Sequence, residues 1–405
     1  MGLNETPSAN RIHIGFFGRR NAGKSSLVNA VTGQDMAIVS EVKGTTTDPV
    51  YKAMELLPLG PVLIIDTPGI DDEGMLGELR VRRTGRVLNK TDVAVLVGDG
   101  EYSPNGGLCA AEEELVEIFK AKNIPYIIAW NKSDLFDDPE KDSLSAFLPV
   151  SAKTGFNINV LKEKIAALAL AESTKGRPAR PLIADLVRPS DFVVLVIPID
   201  KAAPKGRLIL PQQQVIRDIL DTHAVAIASG ESGLKDTLAR LGKKPALVIT
   251  DSQIFAKVSA EVPPDIPLTS FSILFARYNG LLETAVRGVK ALETLRNGDK
   301  ILIAEGCTHH RQCEDIGTVK LPRWIKTHTA KEPDFVFCSG GDFPEDLSIF
   351  KMIIHCGACM LNGREMQYRR LSAEDQNIPF TNYGITIAYI QGILDRSIAV
   401  FSDFQ

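Results

Sequence analysis

The sequence predicts an α/β protein of three domains, the first of which contains a doubly wound, mostly parallel sheet. The length of 405 residues exceeds what one ordinary hydrophobic core requires. Between residues 11 and 171, short apolar strand-like runs alternate with helical patterns, which is typical of parallel sheets covered on both faces. Two polar, proline-containing stretches, 172–181 and 259–267, divide the chain. The expected domains are 1–174, 175–263 and 264–405.

The composition limits the classes of partner and compartment. A hydrophobic content of 44% and a charged content of 24% are those of a folded globular chain. The formal net charge of −4 and the scattered Lys and Arg residues disfavour binding to nucleic acid. No apolar run reaches the ~18 residues of a membrane span, and the N-terminus lacks the pattern of a signal peptide. We expect a cytoplasmic protein whose partners include neither nucleic acid nor a membrane.

The first domain is predicted to contain five strands and two helices. The strands are IHIGFFG, PVLIIDTPG, VAVLVGDG, IPYIIAWNKSD and FLPVSA, and the helices are GKSSLVNAV and VLKEKIAALALAE. In an open parallel sheet, ligands bind at the carboxyl ends of the strands. Motifs that directly follow these strands are therefore the candidates for a binding site.

The first such motif is GRRNAGKS at 18–25, which fits the pattern G-x-x-x-x-G-K-S between a predicted strand and a predicted helix. Its glycines allow backbone amides to curl around phosphate groups. Lys24 brings a positive charge to the β- and γ-phosphates, and Ser25 offers a hydroxyl to Mg²⁺. The predicted phosphate contacts are Asn21, Ala22, Gly23, Lys24, Ser25 and Ser26.

Two further strand-end motifs and a third loop complete a guanine nucleotide site. In DTPG, Asp66 can hold Mg²⁺ through water, and the Gly69 amide can meet the γ-phosphate. In NKSD, Asp134 can accept two hydrogen bonds that guanine offers and adenine does not, and SAK at 151–153 closes the base pocket. The predicted base contacts are Asn131, Lys132, Asp134, Ser151, Ala152 and Lys153. The expected ligands are GTP, GDP and Mg²⁺, and the expected activity is hydrolysis of GTP to GDP and phosphate.

Residues 10–172 resemble the translation-factor-like GTPases, and within them the branch that includes the tRNA-modification and ribosome-assembly GTPases. The resemblance lies in the motifs above and in GTTTD, which looks like the switch I signature of that branch. It implies that Thr46 binds Mg²⁺, with Thr45 and Thr47 as less favoured choices. The expected catalytic residues are Lys24, Thr46, Asp66 and Gly69.

Two positions bear on the rate of hydrolysis. Asn21 matches the phosphate-loop asparagine that holds K⁺ in potassium-activated members of this branch, where a cation beside the phosphates neutralises developing charge. Ile70 follows DTPG at the place where small Ras-like GTPases have a water-positioning glutamine. Because an apolar side chain cannot orient water, we expect slow hydrolysis that K⁺ stimulates.

The middle domain is predicted to be a second α/β segment. Its strands are DFVVLVIPID, AVAIASGES and KPALVITD, and its helices are QQQVIRDILDTHA and SGLKDTLARLG. It contains neither a phosphate loop nor a cluster of ionisable side chains. We therefore expect a dimerisation domain and a homodimeric protein.

The third domain carries a divided cysteine and histidine motif. The predicted strand ILIAEGCTHH ends on the first half, and the run DLSIFKMIIHCGACM ends on the second half, so the halves converge if these runs lie side by side. The candidate metal ligands are Cys307, His309, His355, Cys356 and Cys359, with Cys313 as a weaker candidate. Six cysteines without a secretory signal favour a metal site over disulfides. The residues alone do not decide between tetrahedral zinc and a [4Fe-4S] cluster with a replaceable fourth ligand.

The whole chain resembles the maturation GTPases of [FeFe]-hydrogenase. The resemblance lies in a GTPase, a middle domain, and then C-x-H, a gap of 45 residues and H-C-x-x-C. It implies a dimeric scaffold whose C-terminal domain holds a [4Fe-4S] cluster on Cys307, Cys356 and Cys359, with His309 and His355 as a further ligand or as neighbours. It also implies a transient diiron precursor, made with two radical-SAM maturases and delivered to apo-[FeFe]-hydrogenase.

Two other functions are alternatives to this hypothesis. An RNA or ribosome-assembly GTPase with a zinc-stabilised C-terminal module is favoured by the switch I likeness and opposed by the acidic net charge. A thiol–disulfide redox protein that uses Cys356 and Cys359 would require C-x-x-C in a thioredoxin-like βαβ unit, and the sequence predicts no such placement.

Overall fold

The computed structural model describes residues 6, 8–33, 49–69, 84–99, 107–135, 147–175, 181–198, 208–306, 315–358 and 360–401. Contacts between residues divide the chain into two compact units. Unit 1 is Met1–Pro178 with Asn362–Glu365, and unit 2 is Ala179–Leu361 with Met366–Gln405. Within the described ranges, none of the helices has the length and apolar character needed to cross a membrane.

Unit 1 contains a six-stranded sheet in the order β2-β3-β1-β4-β5-β6. The strands are β1 (Ile12–Phe17), β2 (Val50–Leu56), β3 (Gly60–Asp66), β4 (Val93–Asp99), β5 (Tyr126–Asn131) and β6 (Phe147–Pro149). All neighbours are parallel except β2, which runs antiparallel to β3. The predicted, mostly parallel sheet is confirmed. Strand β2 was not predicted from the sequence; it is an edge strand whose side chains are mostly exposed or half-buried.

Helices cover both faces of this sheet. They are α1 (Lys24–Thr32), α2 (Ala110–Ala121) and α3 (Ile158–Lys175). Successive residues of β1 point to opposite faces, so Phe16 packs in the core with α1 and α3, and Phe17 packs in the core with α2. This doubly wound arrangement places the carboxyl ends of β1, β3 and β5 at one edge of the sheet, where the nucleotide motifs follow them.

The first sheet of unit 2 has four parallel strands in the order β10-β9-β7-β8. The strands are β7 (Phe192–Val196), β8 (Val225–Ser229), β9 (Leu247–Thr250) and β10 (Leu268–Ser270), and the helices are α4 (Leu210–Asp221), α5 (Leu234–Arg240) and α6 (Phe255–Glu261). Strand β8 forms one edge of the sheet. Strand β10, which the sequence analysis did not identify, pairs with β9 although it follows the predicted boundary at 263/264.

The second sheet of unit 2 has four parallel strands in the order β12-β11-β13-β14. The strands are β11 (Lys300–Glu305), β12 (Asp334–Ser339), β13 (Met352–His355) and β14 (Phe380–Asn382). The helices of this part are α7 (Phe271–Tyr278), α8 (Leu282–Val289), α9 (Leu321–Thr329), α10 (Gly363–Asp375), α11 (Tyr383–Ile390) and α12 (Leu394–Ile398). Helices α11 and α12 are separate, because Gly392 adopts a φ of 69° between them.

Strands β11 and β13 carry the two halves of the cysteine motif and are direct neighbours. Ala304 of β11 pairs with His355 of β13. Because the strands are parallel, the segments that follow them begin at the same edge of the sheet. The condition under which the two halves of the motif could converge, that these strands lie side by side, is met. On one face of these strands, buried apolar residues from both sheets of unit 2 form one continuous core, and the opposite face packs in a second core.

Candidate functional site

The phosphate loop connects β1 to α1, as the sequence predicts. Asn21 and Gly23 have φ values of 62° and 85°, which turn the loop before α1 begins at Lys24. A Cβ on Gly23 would lie 2.3 Å from the side-chain nitrogen of Asn131, so only glycine fits there. The amides of the first turn of α1 lie at this loop, where a helix N-terminus favours an anion.

The Lys24 ammonium group is held inside the loop. Its Nζ atom donates to the carbonyl oxygens of Gly18 at 3.0 Å and Arg19 at 2.6 Å. The residue is buried. Phosphate oxygens carry negative charge and are stronger acceptors than these carbonyls. The ammonium is therefore in position to pair with a nucleotide phosphate.

Ser25 and Asp66, the two predicted Mg²⁺ contacts in this part of the chain, touch each other. The Ser25 hydroxyl donates to Oδ2 of Asp66 at 2.6 Å. Oδ1 of Asp66 is buried and has no hydrogen-bond partner among the residues that the structure describes. Burial raises the pKa of Asp66, against the opposing effects of the Ser25 hydroxyl and the Lys24 ammonium. A buried carboxylate oxygen of this kind fits a divalent cation, which supplies both charge and coordination.

Gly69 of the DTPG motif packs on the phosphate loop. A Cβ at this position would lie 2.8 Å from the backbone nitrogen of Arg20, which leaves room for glycine alone. Thr67 fixes the same segment, since its hydroxyl donates to the carbonyl of Phe16 at 2.6 Å. The predicted γ-phosphate contact therefore lies beside the loop that binds the other phosphates.

Asn131 joins the base motif to the phosphate loop. Its Nδ2 atom donates to the carbonyl of Ala22 at 3.0 Å, and its Oδ1 atom accepts from the amide of Ala152 at 3.1 Å. The Ser151 hydroxyl donates to Oδ1 of Asp134 at 2.6 Å, and this hydrogen bond lowers the pKa of the Asp134 carboxyl. The exposed Asp134 is therefore an anion, as recognition of guanine requires. The structure thus joins four of the predicted base contacts in two hydrogen-bonded pairs.

The structure adds three residues near this site that the sequence analysis did not identify. Asp99 ends β4, Arg19 lies in the phosphate loop, and Glu112 lies in the first turn of α2. They are linked by ion pairs to one another and to Lys132 of the base motif. Only Arg19 and Lys132 belong to a motif, and no sequence pattern connects either of them with the two carboxylates. Of the other predicted contacts, Ser26 is half-buried and Lys153 is exposed.

Part of the predicted site lies outside the described residues. These positions are Thr46 with its alternatives Thr45 and Thr47, Ile70, Cys307, His309, Cys313 and Cys359. Among the residues that are described, no group of three or more His, Cys, Asp or Glu side chains is arranged to hold a metal ion. Since two of the three predicted cysteine ligands are not in that set, the predicted cluster site stays a prediction.

Cys356 lies at the carboxyl end of β13. Its sulfur accepts hydrogen bonds from the amide of Gly306 at 3.0 Å and from the amide of Ala358 at 3.4 Å. Gly306 directly precedes Cys307, so the residue that leads into the first half of the motif contacts the sulfur of the second half. Ala358 has a φ of 57°, within the turn that carries its amide to the sulfur. Hydrogen bonds to sulfur favour the thiolate form that metal clusters require.

His355 is wholly buried next to Cys356. Its Nε2 atom lies 2.9 Å from Nη1 of Arg369, and its Nδ1 atom lies 2.9 Å from the carbonyl oxygen of Cys356. Because a guanidinium group can only donate, Nε2 is the acceptor and Nδ1 carries the proton. Burial and the Arg369 charge lower the pKa of His355 to about 3. Both ring nitrogens are engaged, so in this arrangement the ring offers no lone pair to a metal.

A further polar pair belongs to the same edge of the sheet. The Tyr383 hydroxyl donates to Oε1 of Glu305, the last residue of β11, at 3.2 Å. Burial, with Cys356 and Glu305 nearby, raises the pKa of Tyr383. The hydroxyl therefore stays protonated and remains a hydrogen-bond donor. Sequence reasoning missed this residue because TNYGITIAYI has the composition of an apolar core helix.

Sequence models of three protein domains match the chain. That of the 50S ribosome-binding GTPase matches residues 13–132, that of the hydrogen maturase F (HydF) dimerization domain matches 182–280, and that of the HydF tetramerization domain matches 283–400. The two HydF models together span more than half of the chain. The chain belongs to the HydF family. The resemblance to hydrogenase maturation GTPases is confirmed, and the HydF chain has the predicted α/β class with an N-terminal GTPase domain.

Other proteins are similar to part of this HydF chain. It is 34% identical over 162 residues to the tRNA modification GTPase MnmE of Dichelobacter nodosus, which covers 39% of this chain and 35% of that protein. It is 37% identical over 175 residues to the GTPase Der of Wolinella succinogenes, with coverage of 40% and 36%. The solved structure of a probable GTP-binding protein engB is 28% identical, covers 39% of this chain and 99% of that one, and has a TM-score of 0.32. The chain thus spans about a third of the length of these two curated relatives.

Proposed function

We propose that this HydF protein is a GTP-hydrolysing scaffold that holds a [4Fe-4S] cluster and delivers a diiron precursor to apo-[FeFe]-hydrogenase. The observation that carries the proposal is the hydrogen bond from the Gly306 amide to the Cys356 sulfur. It joins the residue directly before the first half of the cysteine motif to the second half, within a chain that also contains a GTPase domain. Membership of the HydF family supports the partners of this proposal, namely the hydrogenase and two radical-SAM maturases that make the precursor.

The GTPase domain is proposed to act by positioning and charge compensation. When the nucleotide binds, the Lys24 ammonium gives up its hydrogen bonds to two loop carbonyls and donates to phosphate oxygens instead. The amides at the start of α1 bind the same phosphates. Ser25 and Asp66, with Thr46, would hold Mg²⁺, which supplies positive charge to the transferred phosphoryl group. Asp134 selects guanine. Water then attacks the γ-phosphate in line with the leaving group.

The rate of hydrolysis is proposed to be low and to increase with K⁺. Asn21 is exposed at the turn of the phosphate loop, where its side-chain oxygen can hold a monovalent cation. Ile70 cannot orient water. The test is steady-state hydrolysis in K⁺ and in Na⁺ at equal ionic strength. The proposal expects faster hydrolysis in K⁺, and loss of that difference in an Asn21→Ala protein; equal rates in both salts would refute it.

The cluster is proposed to bind through Cys307, Cys356 and Cys359. Cys356 fits this role, since two amides donate to its sulfur. His355 fits as a neighbour, because both of its nitrogens are engaged, and His309 is left as the candidate for an imidazole fourth ligand. When bound through three thiolates, the cluster supplies one iron whose fourth ligand can be exchanged for cargo.

A ribosome-assembly or RNA GTPase with a zinc-stabilised C-terminal module is the second candidate. The match of residues 13–132 to the 50S ribosome-binding GTPase domain favours it. Anaerobic purification separates the two candidates. A brown protein that contains iron and sulfide supports the scaffold, whereas a colourless protein that contains zinc supports the alternative.

Oligomerisation is proposed to produce a homodimer through the middle domain. The HydF dimerization model matches residues 182–280, and β8 is an edge strand of the sheet in that range. Val225 of this strand is exposed. An edge strand with exposed apolar side chains offers unpaired backbone groups to a second copy. The proposed occupant of this edge is therefore β8 of a second HydF chain.

A further inference from the structure

One carboxylate connects the phosphate motif to the base motif in unit 1. Asp99 ends β4, between β1, which leads into the phosphate loop, and β5, which leads into the base motif. Its Oδ1 atom accepts from Nη2 of Arg19 at 3.1 Å, and its Oδ2 atom accepts from Nζ of Lys132 at 2.8 Å. Each oxygen thus binds a cation from a different nucleotide motif.

The network continues into helix α2. Nε of Arg19 donates to Oε1 of Glu112 at 3.0 Å, and the other carboxylate oxygen of Glu112 accepts from the amide of Cys109 at 3.1 Å. Arg19 therefore extends from the phosphate loop towards β4 and α2. Its two partners, Asp99 and Glu112, are only 3% and 2% exposed.

Burial makes this network sensitive to the loss of one member. A buried ion pair is costly to break, because the remaining charge is left without compensation. Asp99 also pairs with Asn131 in the β4–β5 ladder, and the Asn131 side chain holds the carbonyl of Ala22. The spacing between the phosphate loop and the base motif is therefore set by two separate ties, one through Asn131 and one through Asp99.

We infer that Asp99 is a positioning residue that fixes the phosphate loop and the base motif at the separation a guanine nucleotide requires. It does so through Arg19 and Lys132. Both contacts of Asp99 are made with side chains, whereas Arg19 contacts Lys24 through its backbone carbonyl. Loss of the Asp99 contacts should weaken GTP and GDP binding equally and leave the chemical step unchanged. The inference rests on the nucleotide binding proposed above.

The test compares wild-type protein with Asp99→Asn, which keeps the shape of the side chain and removes its charge. Affinities for fluorescent GDP and for a fluorescent, non-hydrolysable GTP analogue are measured by titration, and GTPase activity by steady-state kinetics. The expected result is a loss of about tenfold in both affinities and a rise in KM, with kcat within about twofold of wild type. A Glu113→Gln protein removes an exposed charge from the same helix and is expected to match wild type.

Arg19→Gln provides the second variant. It removes the other partner of the Arg19–Asp99 ion pair. It should therefore reproduce the loss in both affinities even if Asp99→Asn does not fold. A protein with both substitutions should lose less affinity than the sum of the two single losses, since both changes remove the Arg19–Asp99 ion pair. Unchanged affinities in a folded variant, additive losses, or a fall in kcat at constant KM would overturn the inference. Wild-type protein that binds neither nucleotide would overturn the proposed function and the inference with it.

Discussion

Nε2 of His355 lies 2.9 Å from Nη1 of Arg369, and both side chains are wholly buried. Arg369 also donates to the carbonyl of Gly340 at 2.5 Å, and its guanidinium lies 5.0 Å from the centre of the Phe343 ring. The histidine therefore connects a buried cation to the backbone carbonyl of Cys356. This contact makes His355 a support for the cysteine loop, since its ring has no nitrogen left for iron.

Replacement of His355 should therefore affect stability. In His355→Ala, the Arg369 donor and the Cys356 carbonyl both lose their partner, which should lower the free energy of unfolding by about 1–3 kcal/mol. His355→Gln can both accept and donate, and should lose less. Urea unfolding of the two variants, monitored by circular dichroism, measures the difference. Equal midpoints for His355→Ala and wild type would contradict the role of this contact.

The same glutamine variant should retain the cluster. Because His355 is not expected to ligate iron, reconstituted and reduced His355→Gln should show the electron paramagnetic resonance spectrum of wild type. His309→Ala is the matched comparison, since the other histidine of the motif is still a candidate ligand. Loss of the cluster signal in His355→Gln, with His309→Ala unaffected, would show that the roles of the two histidines are reversed.

Lys24→Ala should abolish hydrolysis while leaving the cluster site intact. Loss of the ammonium removes the charge that the phosphate loop brings to the nucleotide, and we expect GTP turnover to fall by at least about 100-fold. Iron content and the spectrum of the cluster should not change. If GTP hydrolysis times the exchange of partners at the cluster domain, this variant should also deliver the precursor slowly to apo-hydrogenase. A wild-type delivery rate in this variant would count against the coupling.

Ala228→Pro should weaken the proposed dimer. The Val225 amide donates to the carbonyl oxygen of Asp191, which directly precedes β7. Because successive amides of a strand point to alternate sides, the amide of residue 228 points to the open edge of the sheet. Proline removes that outward donor without breaking a bond to β7. We expect the dissociation constant of the dimer, measured by analytical ultracentrifugation, to rise at least about tenfold. Ala228→Thr keeps the amide and serves as the control; equal dimer affinity in the two variants would exclude the β8 edge as the interface.

Motifs at strand ends made the nucleotide site predictable from sequence. Lys24, Asp66 and Asn131 follow long apolar strands, and their chemistry is local to short patterns. The partners of these motifs were not predictable in the same way. Asp99 and Glu112 are acidic residues with no motif around them, and they reach Arg19 only because the sheet brings β1 and β4 together.

In the third domain, prediction from the sequence was limited by short and half-exposed strands. The pairing of β11 with β13 followed from two apolar runs that end on the cysteine motif. Strands β12 and β14 escaped prediction, because one is a half-exposed edge strand and the other is only three residues long. The structural role of His355 could not be predicted either. Its partner Arg369 lies in α10, within a YRR stretch whose composition is typical of a solvated basic surface.

The most direct test of the scaffold is the metal content and spectrum of anaerobically prepared Cys356→Ser, with Cys338→Ser as its control. Cys338 is a suitable control because burial raises its pKa to about 11, which keeps it a thiol. Wild type and Cys338→Ser should contain about four iron atoms per chain and, when reduced, show a [4Fe-4S] signal, whereas Cys356→Ser should lose both. An unchanged iron signal in Cys356→Ser, or colourless wild-type protein that contains zinc, would contradict the central claim.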